Sequence, residues 1–274
     1  MRSEFVPPLN LATDFSQAAW LANTVLEHGV NASFVPTGLE AYVQVLHPAE
    51  TSEGDPVRWS EVADWLQVPL LAGVWFQDLE ELAAGRPERD LPWAEAPQEG
   101  EIPEEVLDRL TRVLARHTGS EHGWFCLWDG WGFLTGSMTR VVARHVDHHP
   151  SPGTPSRYHS LPAFGSEERK SAKVHLPSRA YYLFEGPLAA ARELGAFVTW
   201  EPGGQREFER QTPSLWWPDD GAWCAGNEID STCTCIGGSR ALIDELLAHP
   251  ELEVLELDPM QEFSPYRDLH SDNG

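Results

Sequence analysis

The first regular pattern along the chain is helical. Between positions 14 and 28, Phe15, Ala18, Ala19, Ala22, Val25 and Leu26 recur at helical spacing, with Thr13 or Asp14 placed to cap the helix and Gly29 to end it. Then the period changes. In "LEAYVQVL", positions 39–46, Leu39, Ala41, Val43 and Val45 alternate with mostly polar neighbours, which predicts a half-buried strand. A short helix is expected over 60–66. Positions 85–103, rich in Pro, Glu and Gly, read as a loop or linker. A second long helix is predicted over 103–116, with Pro103 in its first turn and Glu104 and Glu105 suiting its dipole. Val106, Leu107, Leu110, Val113 and Leu114 form its apolar stripe.

The stretch "WFCLWDGWGF", positions 124–133, is apolar without alternation. Trp124, Cys126 and Trp128 would face one way, and Phe125, Leu127 and Asp129 the other. A strand apolar on both faces is usually central and covered on both sides. "FCLWDG" (125–130) has an echo in "YYLFEG" (181–186), each ending in a carboxylate and a glycine. Between them, positions 140–179 are rich in Pro, Ser, His and basic residues and read as a long surface loop.

Further on, 196–200 reads as a strand followed by the turn "EPGG". Pro218-Asp219-Asp220-Gly221 has strong turn chemistry, and 222–229 and 232–236 read as a hairpin. Ser239 is placed to cap a helix bearing Leu242, Ile243, Leu246 and Leu247, and "LEVLEL" (252–257) closes with a strand. Helices and hairpins without regular β–α alternation predict an α+β fold: a mainly antiparallel sheet, helices packed on it, and long surface loops. One domain over 1–258 is expected, with an internal boundary near 85–103 as the variant, followed by a loose tail over 259–274.

Composition restricts the partners. The formal net charge is -24, from 43 acidic against 19 basic residues. Nucleic acid and anionic membrane surfaces would be repelled, whereas a basic protein or a small cationic ligand would be attracted. Four Cys do not make a disulfide scaffold in a 274-residue chain. The first residues lack an apolar run of signal-peptide length, and no stretch reaches membrane-span length. A cytoplasmic protein with reduced thiols is therefore expected. Its oligomeric state stays open.

No nucleophile elbow, phosphate-binding loop or dinucleotide fingerprint is present, so no cofactor is expected. "GGSRAL" at Gly237 reads equally as an anion-holding helix start or an ordinary serine cap. His145 and His149, in "RHVDHHP", are the candidate metal ligands, against a reading of that stretch as a solvated His-rich loop. Cys224, Cys233 and Cys235 are candidates to share one face of the hairpin, as reduced core thiols. The richest set pairs carboxylates with indoles. Asp129, Glu185, Asp219, Asp220, Glu228 and Asp230 fall at strand ends or turns, and Trp128, Trp131, Trp216, Trp217 and Trp223 lie close in sequence. Carboxylates beside Trp suit acid–base work on a sugar or capture of a cation; Trp in the core with Asp in turns is the structural alternative. Asp129, Glu185 and Glu228 are the catalytic candidates, and the five Trp the ligand-binding ones.

"SLWWPDDGAWCAGNEIDSTCTCIGGSRALIDELL", with "YYLFEGPL" upstream, resembles a type of protein conserved in actinobacterial genomes. The resemblance covers the C-terminal third plus one strand. It implies a bacterial cytoplasmic origin and carries over no catalytic residue. The acidity and α+β layout are also reminiscent of immunity proteins that neutralise basic toxins, by analogy alone. Two functions follow as expectations: a binding protein for a basic partner or small cation, in an immunity-like or accessory role, or a hydrolase or glycan-active enzyme built on Asp129 and Glu185.

Overall fold

The computed structural model describes residues 9–26, 33, 35–87, 90–142, 156–177 and 179–261. The strands, in chain order, are β1 (Asn10–Leu11), β2 (Ala41–Leu46), β3 (Ala49–Glu50), β4 (Pro56–Val57), β5 (His122–Trp128), β6 (Thr139–Val142), β7 (Ser156–Ser160) and β8 (Val174–His175). They continue with β9 (Ala180–Pro187), β10 (Gly195–Glu201), β11 (Gln205–Arg210), β12 (Leu215–Pro218), β13 (Trp223–Gly226), β14 (Cys233–Gly238) and β15 (Glu253–Glu256). The helices are α1 (Trp59–Leu66), α2 (Phe76–Ala83), α3 (Glu104–Leu114), α4 (Gly132–Thr135), α5 (Ser166–Arg169) and α6 (Arg240–Leu247). The fold is α+β, as the element pattern predicts.

Nine strands form the main sheet, in the order β1-β9-β5-β12-β13-β14-β2-β15, with β8 also pairing β9. Every pairing within it is antiparallel. Strand β5 lies inside it between β9 and β12. Phe125 and Leu127 enter a core with α3, α6 and the β10 residues Ala196, Val198 and Trp200. Trp124 and Cys126 enter a second core with Ala18, Leu21 and Val25 from the N-terminal segment. The double coverage read from the sequence therefore holds. A third core joins α1, α2 and Trp93 to Leu46 and Cys233 at the β2 side of the sheet.

The locally determined elements are where the pattern put them. Helix α3 buries all five stripe residues, and α6 starts at Ser239, whose hydroxyl accepts from Leu242 N at 3.3 Å. The Pro218–Gly221 turn closes with Gly221 N donating to Pro218 O at 2.9 Å.

Elements that depend on packing differ. The helix expected over 14–28 is, within the described residues, two 3-10 turns, Ser16–Ala18 and Leu21–Asn23. Asp14 accepts from both N and Oγ of Ser16, while Asn23 and Thr24 are weak helix formers, so docking of Leu21 and Val25 on the sheet sets the path. Strand β2 is buried over Tyr42–Leu46, not half-buried, because both sheet faces are covered. The loop expected over 140–179 contains most of β6 together with β7, α5 and β8; β6 and β7 belong to a second sheet, ordered β11-β10-β7-β6. The strand expected over 222–229 stops at Gly226. There the Glu228 side chain accepts from Asp230 N, and Ser231 N donates to Glu228 O, closing a turn instead. The described part of stretch 85–103 is loop, but anchored: Trp93 is buried, Glu50 bridges Glu95, and Gly100 O accepts from Asn227 Nδ2 at 2.9 Å.

Two stability predictions follow from this packing. A Cβ on Gly123 would lie 2.3 Å from Leu188 Cδ2 and 2.7 Å from Trp217 O, whereas one on Gly119 meets nothing closer than 3.7 Å. Gly123→Ala should cost about 1–3 kcal/mol in urea unfolding, and Gly119→Ala should change stability by less than about 0.5 kcal/mol. The second concerns His47, fully buried with Nε2 2.9 Å from Thr234 Oγ1; burial holds its pKa down to about 3. The unfolded chain takes up a proton near pH 6.5 that folded His47 refuses. Its contribution is therefore complete above that pH and is lost as pH falls toward 3, by about 1 kcal/mol per pH unit. In His47→Gln, unfolding measured between pH 7 and 4 should show a shallower acid slope.

Candidate functional site

Strands β5 and β9 pair directly, so the two echoing motifs are neighbours. They run antiparallel, with Phe125 opposite Phe184 and Trp128 opposite Tyr181. The carboxylate after each motif therefore lies at the opposite end of the pair. Asp129 follows Trp128, while Glu185 lies opposite Trp124, and the five residue steps between these levels span roughly 17 Å. The faces differ as well. Glu185 shares the side of its partner Trp124; continuing the alternation puts Asp129 on the side of Leu127 and Tyr182, where Lys173 lies 4.9 Å from the Tyr182 ring. Asp129 and Glu185 do not form a carboxylate pair.

Asp129 and Glu228 are each neutralised. Lys173 Nζ bonds Asp129 Oδ2 at 2.7 Å. Arg179 bonds Glu228 through Nε and reaches Asp230 Oδ2 with its other arm at 2.6 Å. The same guanidinium lies 5.2 Å from the Trp128 ring centroid, so Trp128 already serves an internal cation. Burial pushes the Tyr181 phenol well above its ordinary range, with the nearby Cys126 and Glu228 adding to the rise, which keeps it a neutral hydroxyl. The "WDGWG" turn is compact for a steric reason. The Trp128 ring occupies the place of a Cβ on Gly130, as near as 2.1 Å, and packs edge-on against Trp131 at 5.7 Å.

The remaining Trp candidates divide. Trp216 and Trp223 are 0% and 1% exposed, stand edge-to-face at 5.3 Å, and Trp223 Nε1 donates to Leu114 O. They are buried in the core, and both also border a cavity of about 200 Å3 with Leu114, Leu188 and Arg192. Trp217 is buried too and borders another cavity, of about 320 Å3, with Trp20, Leu39, Asp219, Asp220 and Gly221. Trp20 stands edge-on to Trp217, with ring centroids 6.0 Å apart. It is the site residue missed in the sequence: an indole on the polar side of the apolar stripe drawn through 14–28.

The two carboxylates of this cavity are held by donors other than Lys and Arg. Asp219 Oδ1 accepts from Trp124 Nε1 at 2.6 Å and lies 3.1 Å from His122 Nδ1. Asp220 accepts from Thr118 Oγ1 and Gly119 N, both at 2.8 Å, and from Ala222 N at 3.1 Å. Partial burial pushes the Asp220 carboxyl up, but these hydrogen bonds outweigh it and hold the group below the ordinary carboxylate range. Among the described residues, no Lys or Arg pairs with either.

His145 and His149 lie outside the described residues, and no group of three or more His, Cys, Asp or Glu suited to a metal occurs among the described ones. No described helix is long and apolar enough to cross a membrane.

The Arg179 cluster makes its own prediction. Arg179 and Glu228 side chains are 17% and 9% exposed, against 23% and 27% for Lys173 and Asp129. Arg179→Ala strands the more buried carboxylate and should cost about 3 kcal/mol; Lys173→Ala should cost about 1 kcal/mol. Chemical denaturation of both variants checks the order. No family model, curated protein or solved structure matches the chain, and no residue role transfers to it from a relative.

Proposed function

We infer that the chain is a binding protein, not a catalyst, and that the cleft beside the Pro218–Gly221 turn takes a guanidinium or ammonium group from a basic partner. One observation carries the reading: Asp219 and Asp220 stand beside Trp20 and Trp217 without a Lys or Arg partner among the described residues, whereas Asp129 and Glu228 are each paired. An aromatic face beside carboxylates that no Lys or Arg pairs attracts a cation by ring quadrupole and by charge together. The cavity, about 320 Å3, is at the small end of ligand sites and suits one side chain or a compact cation. The net charge of -24 steers a basic protein toward this surface and discourages nucleic acid. An immunity-like or accessory role in a bacterial cytoplasm fits these properties. The hydrolase alternative loses its basis with the separation of Asp129 from Glu185.

Calorimetric titration with an arginine-rich peptide tests the reading. The double variant Asp219→Asn, Asp220→Asn removes both charges and keeps one acceptor oxygen on each side chain, with its fold checked by circular dichroism. It should weaken binding by about tenfold or more, equal to about 1.4 kcal/mol. Asp129→Asn, whose carboxylate already has a cation, should bind like the parent. Equal affinity of the double variant and the parent contradicts the proposal.

A further inference from the structure

The cavity of about 200 Å3 beside Trp216 and Trp223 is built unlike the Asp219–Asp220 cleft. Its floor is the two indoles, carried by β12 and β13. One side is the last part of α3 and the residue after it, where Asp108, Thr111, Arg112 and Ala115 fall at helical spacing on one stripe. The other side is a short 3-10 segment, Leu188–Arg192. Two contacts seat that segment on the sheet. Leu188 N donates to Glu121 O at 2.8 Å, and the Leu188 side chain fills the space that Gly123 leaves by having no Cβ.

The depth of the cavity is apolar. Leu114, Leu188 and the two indoles are all buried. The polar groups among these walls are mostly spent. Trp223 Nε1 donates to Leu114 O at 3.0 Å, and Thr111 Oγ1 turns back to the carbonyls of Leu107 and Asp108. Trp216 Nε1 is the exception: it is buried and has no acceptor among the described residues.

Charge is confined to the solvent side. The Arg192 and Arg112 side chains are 46% and 72% exposed. Arg192 Nη1 bonds Asp108 Oδ1, and Arg112 Nη2 lies 3.6 Å from Asp108 Oδ2. Among the described residues, Asp108 is the only carboxylate in ion-pair contact with either. The neighbouring Arg109 turns instead to Glu105 and Glu251, and Glu104 and Glu193 act on Arg192 only at longer range. Two guanidiniums therefore share one carboxylate, in a chain where acidic residues outnumber basic ones 43 to 19. Each guanidinium has five N–H donors, and one carboxylate cannot occupy them all.

We propose that this cavity binds a small aromatic carboxylate, with its ring against Trp216 and Trp223 and its carboxylate at Arg112 and Arg192. Size limits the ligand: an apolar cavity of about 150 Å3 already takes benzene, so this one holds a single ring with a short substituent. The indole floor favours an aromatic body, by edge-to-face or offset contact as well as by burial. The guanidiniums select the substituent, because a planar carboxylate matches their paired donors and an ammonium group is repelled. The site is thus opposite in preference to the Asp219–Asp220 cleft and does not depend on it.

The test is a titration of the full chain with benzoate, followed through the Trp Nε1–H signals of a two-dimensional proton–nitrogen spectrum, each assigned by a single Trp→Phe variant. Trp216 and Trp223 should shift saturably, with a Kd of about 1 mM or tighter, while Trp20 and Trp217 stay in place. Benzamide, equal in shape but uncharged, should bind about tenfold more weakly, and benzylamine should not bind there. The double variant Arg112→Gln, Arg192→Gln, with folding checked by circular dichroism, should weaken benzoate by about tenfold or more. The parent protein alone suffices to overturn the proposal: no saturable shift at Trp216 or Trp223, or benzylamine acting on them as benzoate does, would do so. Unchanged benzoate affinity in the folded double variant would overturn it equally.

Discussion

Strand β5 has no solvent face, and the rest of the molecule is arranged around that constraint. Its neighbours β9 and β12 satisfy its backbone on both edges. Its side chains alternate between two apolar cores, one built by α3 and α6 and the other by the N-terminal turns. A strand of this kind leaves no place for a charge along its length. Carboxylates are therefore pushed to the ends of the sheet, to Asp129 and Glu228 at one end and to Asp219 and Asp220 near the other. Indoles fill the space between, with Trp216 and Trp223 buried in the core.

Charge then separates the two ends. With 43 acidic residues and 19 Lys or Arg, the cations are too few to pair the carboxylates one to one. The few cations near the sheet are spent where burial is greatest. Arg179 joins Glu228 and Asp230 and covers Trp128, and Lys173 joins Asp129 and approaches Tyr182. The Asp219–Asp220 turn is served by hydroxyl, indole, imidazole and amide donors instead, which fix the carboxylates without Lys or Arg compensation. The same combination of Trp and Asp thus differs at the two ends: a completed internal ion cluster at one, carboxylates without a Lys or Arg partner among the described residues at the other.

The sequence made legible what local periodicity controls. Helices α3 and α6 carry their stripe and start signals within a dozen residues, and the 218–221 turn needs only its own chemistry. Positions 14–26 were misread because their apolar spacing is helical while their path is set by docking. Gln44 reads as the polar face of a half-buried strand; only the covering of both sheet faces makes it a buried amide bonded to Gly73 and Val74. The motif echo was real as adjacency, since β5 and β9 pair, yet misleading as chemistry. Repeating a motif on antiparallel partners inverts it, so matching carboxylates end up apart. Trp20 was hidden for a related reason: no local pattern brings residue 20 to residues 217–220.

The most direct test of the central claim asks which indoles sense a bound cation. Each Trp Nε1–H gives its own signal in a two-dimensional proton–nitrogen spectrum, assignable by single Trp→Phe variants, and ethylguanidinium serves as the probe. Saturable shifts at Trp20, Trp217 and Trp124, whose indole is bonded to Asp219, with Trp128, Trp216 and Trp223 unmoved, is the result predicted here. No saturable shift at Trp20 or Trp217, or shifts centred on Trp128, would contradict the assignment of the cleft.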